Sequence, residues 1–385
     1  MPSYQRLGEI PHKRHTQFRK PDGSLYAEEL FGTEGFSGCY SLLYHEHPPT
    51  RVSAIEAVAS THVVEEWPQE THRHHHLKTN DLEPAGDPVT GQRVLFYNND
   101  VALAVVRPTE RMDYYYRNAE CDEIYFIHDG KGVLETIFGL LPYSEGDYLV
   151  IPRGTTYRFL QEPGESRFLY VESHGPIEPP KRYRNEFGQL LEHSPYCERD
   201  IRTPSELPRH EEKGLFKVHV KVGGRVMAYH FDFHPLDVVG WDGYLYPYAL
   251  NIGDFEPITG RVHQPPPVHQ TFAGPNFVVC SFVPRKLDYH PLSIPVPYNH
   301  SNIDSDEVIY YASGDFSSRK GIERSSFTLH PRGIPHGPHP GTIERSLGKE
   351  YTNELAVMVD TFHPLKLTQF AREFDDPQYP FSWLG

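Results

Sequence analysis

The sequence predicts an all-β protein of two stacked β-barrels, and three observations predict it. The first is an internal repeat with an offset of 184 residues. Asp122-Glu123-Ile124-Tyr125 runs to Gly130, and Pro152-Arg153-Gly154-Thr155-Thr156-Tyr157 follows. Asp306-Glu307-Val308-Ile309 runs to Gly314, and Pro331-Arg332-Gly333-Ile334-Pro335-His336 follows. The second is composition: 36 prolines, 30 glycines and 13% aromatic residues suit short strands and frequent turns better than helical bundles. The third is patterning. Short apolar runs recur between Gly and Pro signals while helical periodicity stays weak, which favours antiparallel barrels or jelly rolls.

In chain order, residues 1–100 read as mixed coil and short strands, with a turn signal at Gly86-Asp87-Pro88. They also hold a histidine cluster, His72, His74, His75 and His76. Adjacent histidines on a strand point to opposite faces, so this cluster reads as a solvated or interface loop and not as a second metal site. Strand-like runs cover residues 101–106, 123–128, 148–152 and 167–172, with Gly146-Asp147 as the tight turn feeding the third. Residues 176–215 are Pro-rich and charged and read as a linker between halves. Further β-runs cover 216–222, 277–283 and 354–359. The expected domains are 1–175, a barrel with an N-terminal extension, and 216–385, a second barrel.

A length of 385 residues allows two or three domain-sized cores. A net charge of −15 without a compensating basic run argues against a nucleic-acid binder. No apolar stretch approaches the roughly 20 residues that span a bilayer, and the polar, basic start does not resemble a signal core. Cys39, Cys121, Cys197 and Cys280 are scattered singly, which suggests neither a disulfide framework nor a thiolate zinc site. These features point to a soluble protein of the cytoplasm.

The two copies of the repeat differ in the one respect that matters for chemistry. Seven residues before each glutamate stands Tyr116 in the first copy and His300 in the second. The second copy therefore offers His300, Glu307 and His336, whereas the first offers Tyr116, Glu123 and Tyr157. Two histidines and a carboxylate can hold non-haem Fe(II) on one face and leave positions free for oxygen and substrate, although Mn, Co, Ni or Zn fit the same ligands. One metal-binding half and one structural half are expected. Tyr114-Tyr115-Tyr116 reads as core or interface packing.

The pattern H-x6-E-x6-G followed by P-x-G-x-x-H resembles the metal motifs of the cupin superfamily, whose double-barrel members are bicupins. Within it the chain resembles the homogentisate 1,2-dioxygenase family. The stretches that carry this are Val238-Val239-Gly240-Trp241-Asp242-Gly243, Pro247-Tyr248, Asn251, His263, Phe282-Val283-Pro284-Arg285, Pro297-Tyr298-Asn299-His300 and Pro335-His336-Gly337-Pro338, with Ser24-Leu25-Tyr26-Ala27-Glu28-Glu29-Leu30 near the start. The resemblance implies Fe(II) bound by His300, Glu307 and His336, with His263 as the catalytic acid/base. It implies substrate contacts from His330, Tyr298 and His336, and assembly into trimers or pairs of trimers. The implied reaction opens the ring of homogentisate, a small aromatic dihydroxy acid, with O₂ to give maleylacetoacetate in tyrosine and phenylalanine catabolism. A phenol titrating near pH 10 needs a base to lose its proton in the cell, and a histidine titrating near 6.5 suits that task.

One position departs from the family. Two residues beyond the glycine that closes the first motif, a tyrosine that helps hold the substrate carboxylate is replaced by Phe316. Tyr298 and Arg285 are candidates to take over that contact. Other readings stay open at this point: a cupin dioxygenase acting on another hydroquinone, aromatic or β-diketone substrate, a non-catalytic bicupin that binds a small ligand, or a zinc or manganese isomerase. His269, six residues beyond His263, rivals it as the base.

Overall fold

The apolar runs of the sequence become strands in the computed structural model, which describes residues 3–58, 64–314, 316 and 321–384. The strands Val101–Val106, Asp122–Asp129, Asp147–Ile151, Arg167–Ser173, Lys213–Val222, Phe277–Phe282 and Leu355–Thr361 match the predicted runs to within a few residues at their ends. The protein is all-β in class, with only short helical turns between strands.

Period-two alternation divides the strand residues between cores. On Asp122–Asp129, Tyr125 and Ile127 face the interior of the first barrel with Tyr157, Phe159 and Phe168. Ile124 and Phe126 face the other way, into a core shared with Val308, Tyr310, Val357 and Val359 of the second half. On Asp306–Ser313, Ile309 and Tyr311 turn into a smaller cluster with Cys280, Met358 and Phe282. Each repeat thus contributes one strand face to the common core and one to its own barrel. Glu123 and Glu307 share the parity of the barrel-facing residues.

Strand pairing interlocks the two halves. Lys213–Val222 runs parallel to Tyr115–Asn118, and Tyr248–Asn251 pairs with Asp147–Ile151. Val238–Gly243 pairs with Gln5–Gly8 and Tyr40–His45. These strands lie beyond residue 213, yet they complete sheets built from the N-terminal half. The six-stranded sheet of the second half in turn takes in His75–Leu77, which pairs with Phe327–His330. The stretch 176–215, expected as a linker between halves, packs against its surroundings: Ile177, Tyr183, Leu190 and Tyr196 are buried, and Ile201–Arg202 pairs with Tyr248–Asn251.

The histidine cluster corrects the sequence reading most plainly. His72 is exposed and bonds Arg332 O at 2.7 Å, but His74, His75 and His76 are buried at 8%, 2% and 2% exposure, so those three are not part of a solvated loop. Their backbone completes a sheet edge, and Asp375 accepts from His75 Nδ1 at 2.8 Å, which satisfies one of the imidazoles inside. Among the described residues, no helix is long and apolar enough to cross a membrane.

A buried ion triad ties the N-terminal strands together. His45 Nδ1 lies 2.9 Å from Asp237 and its Nε2 lies 2.9 Å from Glu29. Burial alone would lower the His45 pKa, but hydrogen bonds and charge from Asp237 and Glu29 outweigh it and raise the group from 6.5 to about 9. A folded pKa above the unfolded one stabilises fully at low pH, and that stability is lost as pH rises through the folded value. The stability difference between wild type and His45→Gln, read from urea midpoints, should therefore shrink between pH 6.5 and about 9. A difference that stays constant across that window would contradict this account.

Candidate active site

The site begins with a turn that both repeats share. In the second copy, Asp306 Oδ1 accepts from the backbone N–H of Arg332 at 2.9 Å and from its Nε at 3.1 Å. In the first, Asp122 Oδ1 accepts from Arg153 N–H at 3.1 Å and from its Nε at 2.9 Å. The Asp-Glu and Pro-Arg-Gly elements of the repeat are thus two ends of one clasp. Gly333 follows with φ +77°, a left-handed conformation in which a side chain would be strained. The clasp fixes the turn that carries residue 336 back towards the glutamate.

In the second copy this turn delivers an imidazole. The backbones of His300 and His336 form a two-way bridge, with N–H to O distances of 2.8 and 2.9 Å. Their rings sit 4.2 Å apart. Glu307 Oε1 lies 3.3 Å from His336 Nε2, and Oε2 lies 3.7 Å from His300 Nε2. All three ligand atoms fall within 4.8 Å of one another. His336 is 3% exposed, and neither of its ring nitrogens has a hydrogen-bond partner. Buried, unpartnered imidazole nitrogens beside a carboxylate are what a divalent cation would satisfy, so this donor set fits a metal.

The first copy fills the same place with phenols. Tyr170 and Tyr157 donate to Glu123 at 2.7 and 3.1 Å. Tyr116 is fully buried beside Tyr157, with ring centroids 5.5 Å apart. Burial raises the Glu123 pKa to about 8, outweighing the bond from Tyr170. Glu307 behaves oppositely. Burial would raise it, yet the hydrogen bond from His330 and the neighbouring His300 and His336 imidazoles hold it well below the usual carboxylate range.

Three site residues have no clear signal in sequence. Asp360 pairs with Glu307 across adjacent strands, and burial with the Glu307 charge pushes its carboxyl well above the usual range. Asp288 carries its Oδ2 3.4 Å from His263 Nδ1. Tyr379, close to the end of the chain, meets His330 Nε2 at 3.1 Å.

A cavity of about 470 Å³ reaches the metal-ligand set, with His263, Tyr298, Arg285 and His269 among its walls beside His300 and Glu307. That volume is within the ~300–1,000 Å³ typical of small-molecule sites. Tyr298 is 58% exposed at the mouth, with its ring 5.0 Å from that of His263. His269 is buried, and burial with the charges of Arg285 and His263 pushes its pKa down to about 3. The resemblance assigned substrate contacts to His330 and His336 as well as Tyr298, and of these only Tyr298 is among the residues that line the cavity. His330 is fully buried and turns its nitrogens to Glu307 and Tyr379. Phe316 packs edge-on against Tyr311 at 4.9 Å, within the apolar cluster of the second barrel.

A second group, His210, Glu212 and His234, also brings ligand atoms within 4.8 Å. Its two rings stack 3.7 Å apart at an angle of 4°. Imidazole lone pairs lie in the ring plane, so parallel stacked rings do not converge on one ion. His234 moreover accepts from Leu236 N–H and bonds Tyr115 through its other nitrogen.

The family model described as Homogentisate 1,2-dioxygenase N-terminal matches residues 3–252. A protein of Saccharolobus solfataricus named "Putative dioxygenase" is 46% identical over 383 residues, covering 99% of this chain and 98% of its own length. A homogentisate 1,2-dioxygenase of Rhodopseudomonas palustris is 24% identical, covering 98% of this chain and 90% of its own. That of Nitrobacter hamburgensis is 26% identical, over 71% and 63% respectively. Among solved structures, a cupin 2 conserved barrel domain protein from Leptotrichia buccalis aligns with a TM-score of 0.34 and 10% identity, over 76% of this chain and 99% of that one.

The contrast between the repeats gives a direct test. Glu307→Gln and His336→Ala should each strip bound divalent metal from purified protein, measured by elemental analysis. Glu123→Gln, in the phenol-filled barrel, should leave the metal content at the wild-type level.

Proposed function

This chain belongs to the homogentisate 1,2-dioxygenase family, and we propose that it is an Fe(II)-dependent enzyme that opens the ring of homogentisate with O₂ to give maleylacetoacetate. The observation that carries this reading is one cavity shared by His300 and Glu307 of the ligand set and the His263–Asp288 pair. The family supports dioxygenase chemistry. The cavity supplies a place for a small aromatic acid beside a base.

His300, Glu307 and His336 would hold the metal. When bound there, Fe(II) supplies the one-electron chemistry that lets ground-state O₂ react with an organic ring. The protein's own groups then have three tasks. His263 takes the phenolic proton: Asp288 faces Nδ1, which orients the ring with Nδ1–H towards the carboxylate and leaves Nε2 as the acceptor. Loss of that proton makes the ring electron-rich at the position oxygen attacks. Tyr298 lies against the His263 ring at the mouth and restricts entry of water.

The third task is to hold the substrate carboxylate, and Phe316 cannot do it. Arg285 lines the cavity with its guanidinium over the Phe282 ring at 5.4 Å. It donates to Val283 O at 2.9 Å and to Glu354 at 3.3 Å. Five N–H donors on one planar group leave capacity for an anion after those two contacts. Arg285 is therefore the proposed carboxylate contact.

Oxygen uptake by anaerobically Fe(II)-loaded protein tests the substrate, with ultraviolet absorbance following the opened-ring product. One O₂ should be consumed per homogentisate, and His263→Ala should lower kcat by ~10²–10⁴-fold with metal content unchanged. Uptake with hydroquinone or gentisate but not homogentisate would keep the chemistry and discard the substrate. Arg285→Met should raise KM for homogentisate far more than for hydroquinone, which lacks the carboxylate.

A further inference from the structure

Glu307 is held from behind as well as from the cavity. His330 is fully buried, with Nδ1 2.8 Å from Glu307 Oε1. An ionised carboxylate only accepts, so Nδ1 carries the hydrogen of that bond. The His330 ring lies nearly parallel to that of His336, with centroids 4.3 Å apart and 13° between planes. Its other nitrogen, Nε2, meets the Tyr379 hydroxyl at 3.1 Å. Neither His330 nor Tyr379 lines the substrate cavity.

Tyr379 itself is 3% exposed and opens the helical turn Tyr379–Leu384. That turn is anchored to the site at several points. Asp376 N–H bonds His76 O at 2.9 Å, and Tyr379 N–H bonds Asp376 O at 3.1 Å. Trp383 Nε1–H donates to Gly337 O at 3.1 Å, one residue beyond a metal ligand. Its ring stacks on His339 at 4.5 Å and rests on His74 at 5.2 Å. The C-terminal turn therefore covers the face of the ligand set that the cavity does not reach.

We propose that Tyr379 is a positioning residue for the metal centre: its hydroxyl fixes the His330 ring, and the His330 Nδ1–H in turn fixes the Glu307 carboxylate for the metal. This rests on the reading of His300, Glu307 and His336 as ligands. A carboxylate on a strand keeps torsional freedom about its last bonds, and one donor from a locked ring removes it. Partners that orient ligands in this way typically affect metal affinity or activity by ~10–100-fold when removed.

The test uses the full chain and Co(II) alone, with affinity measured by chelator competition and geometry by visible absorption. Measurements are made well below the unfolding midpoint, with folding checked by circular dichroism. Tyr379→Phe keeps the packing and removes only the hydroxyl. It should bind Co(II) ~10–100-fold more weakly, with an altered absorption spectrum. In a His330→Phe background the same change should add nothing, because Tyr379 acts through His330. Wild-type affinity and spectrum in Tyr379→Phe would overturn the proposal, as would a further loss in the His330→Phe background. Should Tyr379→Phe fail to stay folded, the His330→Phe pair still decides, since both buried polar partners are then apolar. A wild-type protein that binds no Co(II), or binds it regardless of Glu307→Gln, would instead sink the metal-centre reading itself.

Discussion

A carboxylate buried inside a β-barrel must be neutralised or surrounded by donors, and the second barrel is arranged around that requirement. Leaving an ionised carboxyl unpaired in a protein interior costs several kcal/mol. Glu307 and Glu123 occupy the same place in the repeat, on strands of equal length and equal burial. The first barrel meets the requirement with phenols and a raised pKa, so its glutamate is protonated around neutral pH. The second meets it with imidazoles and keeps its glutamate ionised. In the proposed reading an ionised carboxylate among neutral nitrogen donors attracts a cation, so one exchange of ring chemistry separates a structural barrel from a metal-binding one.

The strand register decides what surrounds that carboxylate. Alternation sends Val308 and Tyr310 into the core shared by the two halves, and leaves Glu307, Ile309 and Tyr311 for the cavity. The neighbouring strand places Asp360 opposite Glu307, where burial and the Glu307 charge push its carboxyl well above the usual range. The strand that carries Glu307 also forms part of the common core, through Val308 and Tyr310. The clasp between Asp306 and Arg332 ties that strand to the turn carrying His336.

What the sequence revealed and what it hid follow from the range of the contacts. The repeat, the strands and the ligand set were legible because each depends on local pattern or on a motif copied within the chain. Even the Asp-Arg clasp was visible, as a shared Pro-Arg-Gly and Asp-Glu. His74 and Tyr379 were not, because they reach His330 and His336 from opposite ends of the chain. No spacing rule connects them. The cluster at residues 72–76 was misread for the same reason: strand alternation is correct, but both faces of that strand are covered by elements far away in sequence. His330 was assigned to the substrate by position in the motif, and its register opposite Glu307 puts it behind the carboxylate instead.

Phe316, where the resemblance expects a tyrosine, joins Ile309, Met358 and Tyr311 in an apolar cluster and is not among the residues that line the cavity. In the proposed function the carboxylate contact falls to Arg285, whose guanidinium is held in the wall by contacts to Val283 O, Glu354 and the Phe282 face. An arginine fixed on three sides offers a planar fork at little further cost in side-chain entropy. In the proposed reading the donors that Arg285 keeps free of Val283 and Glu354 make recognition selective: an aromatic acid offers them a charge partner, and a neutral hydroquinone does not.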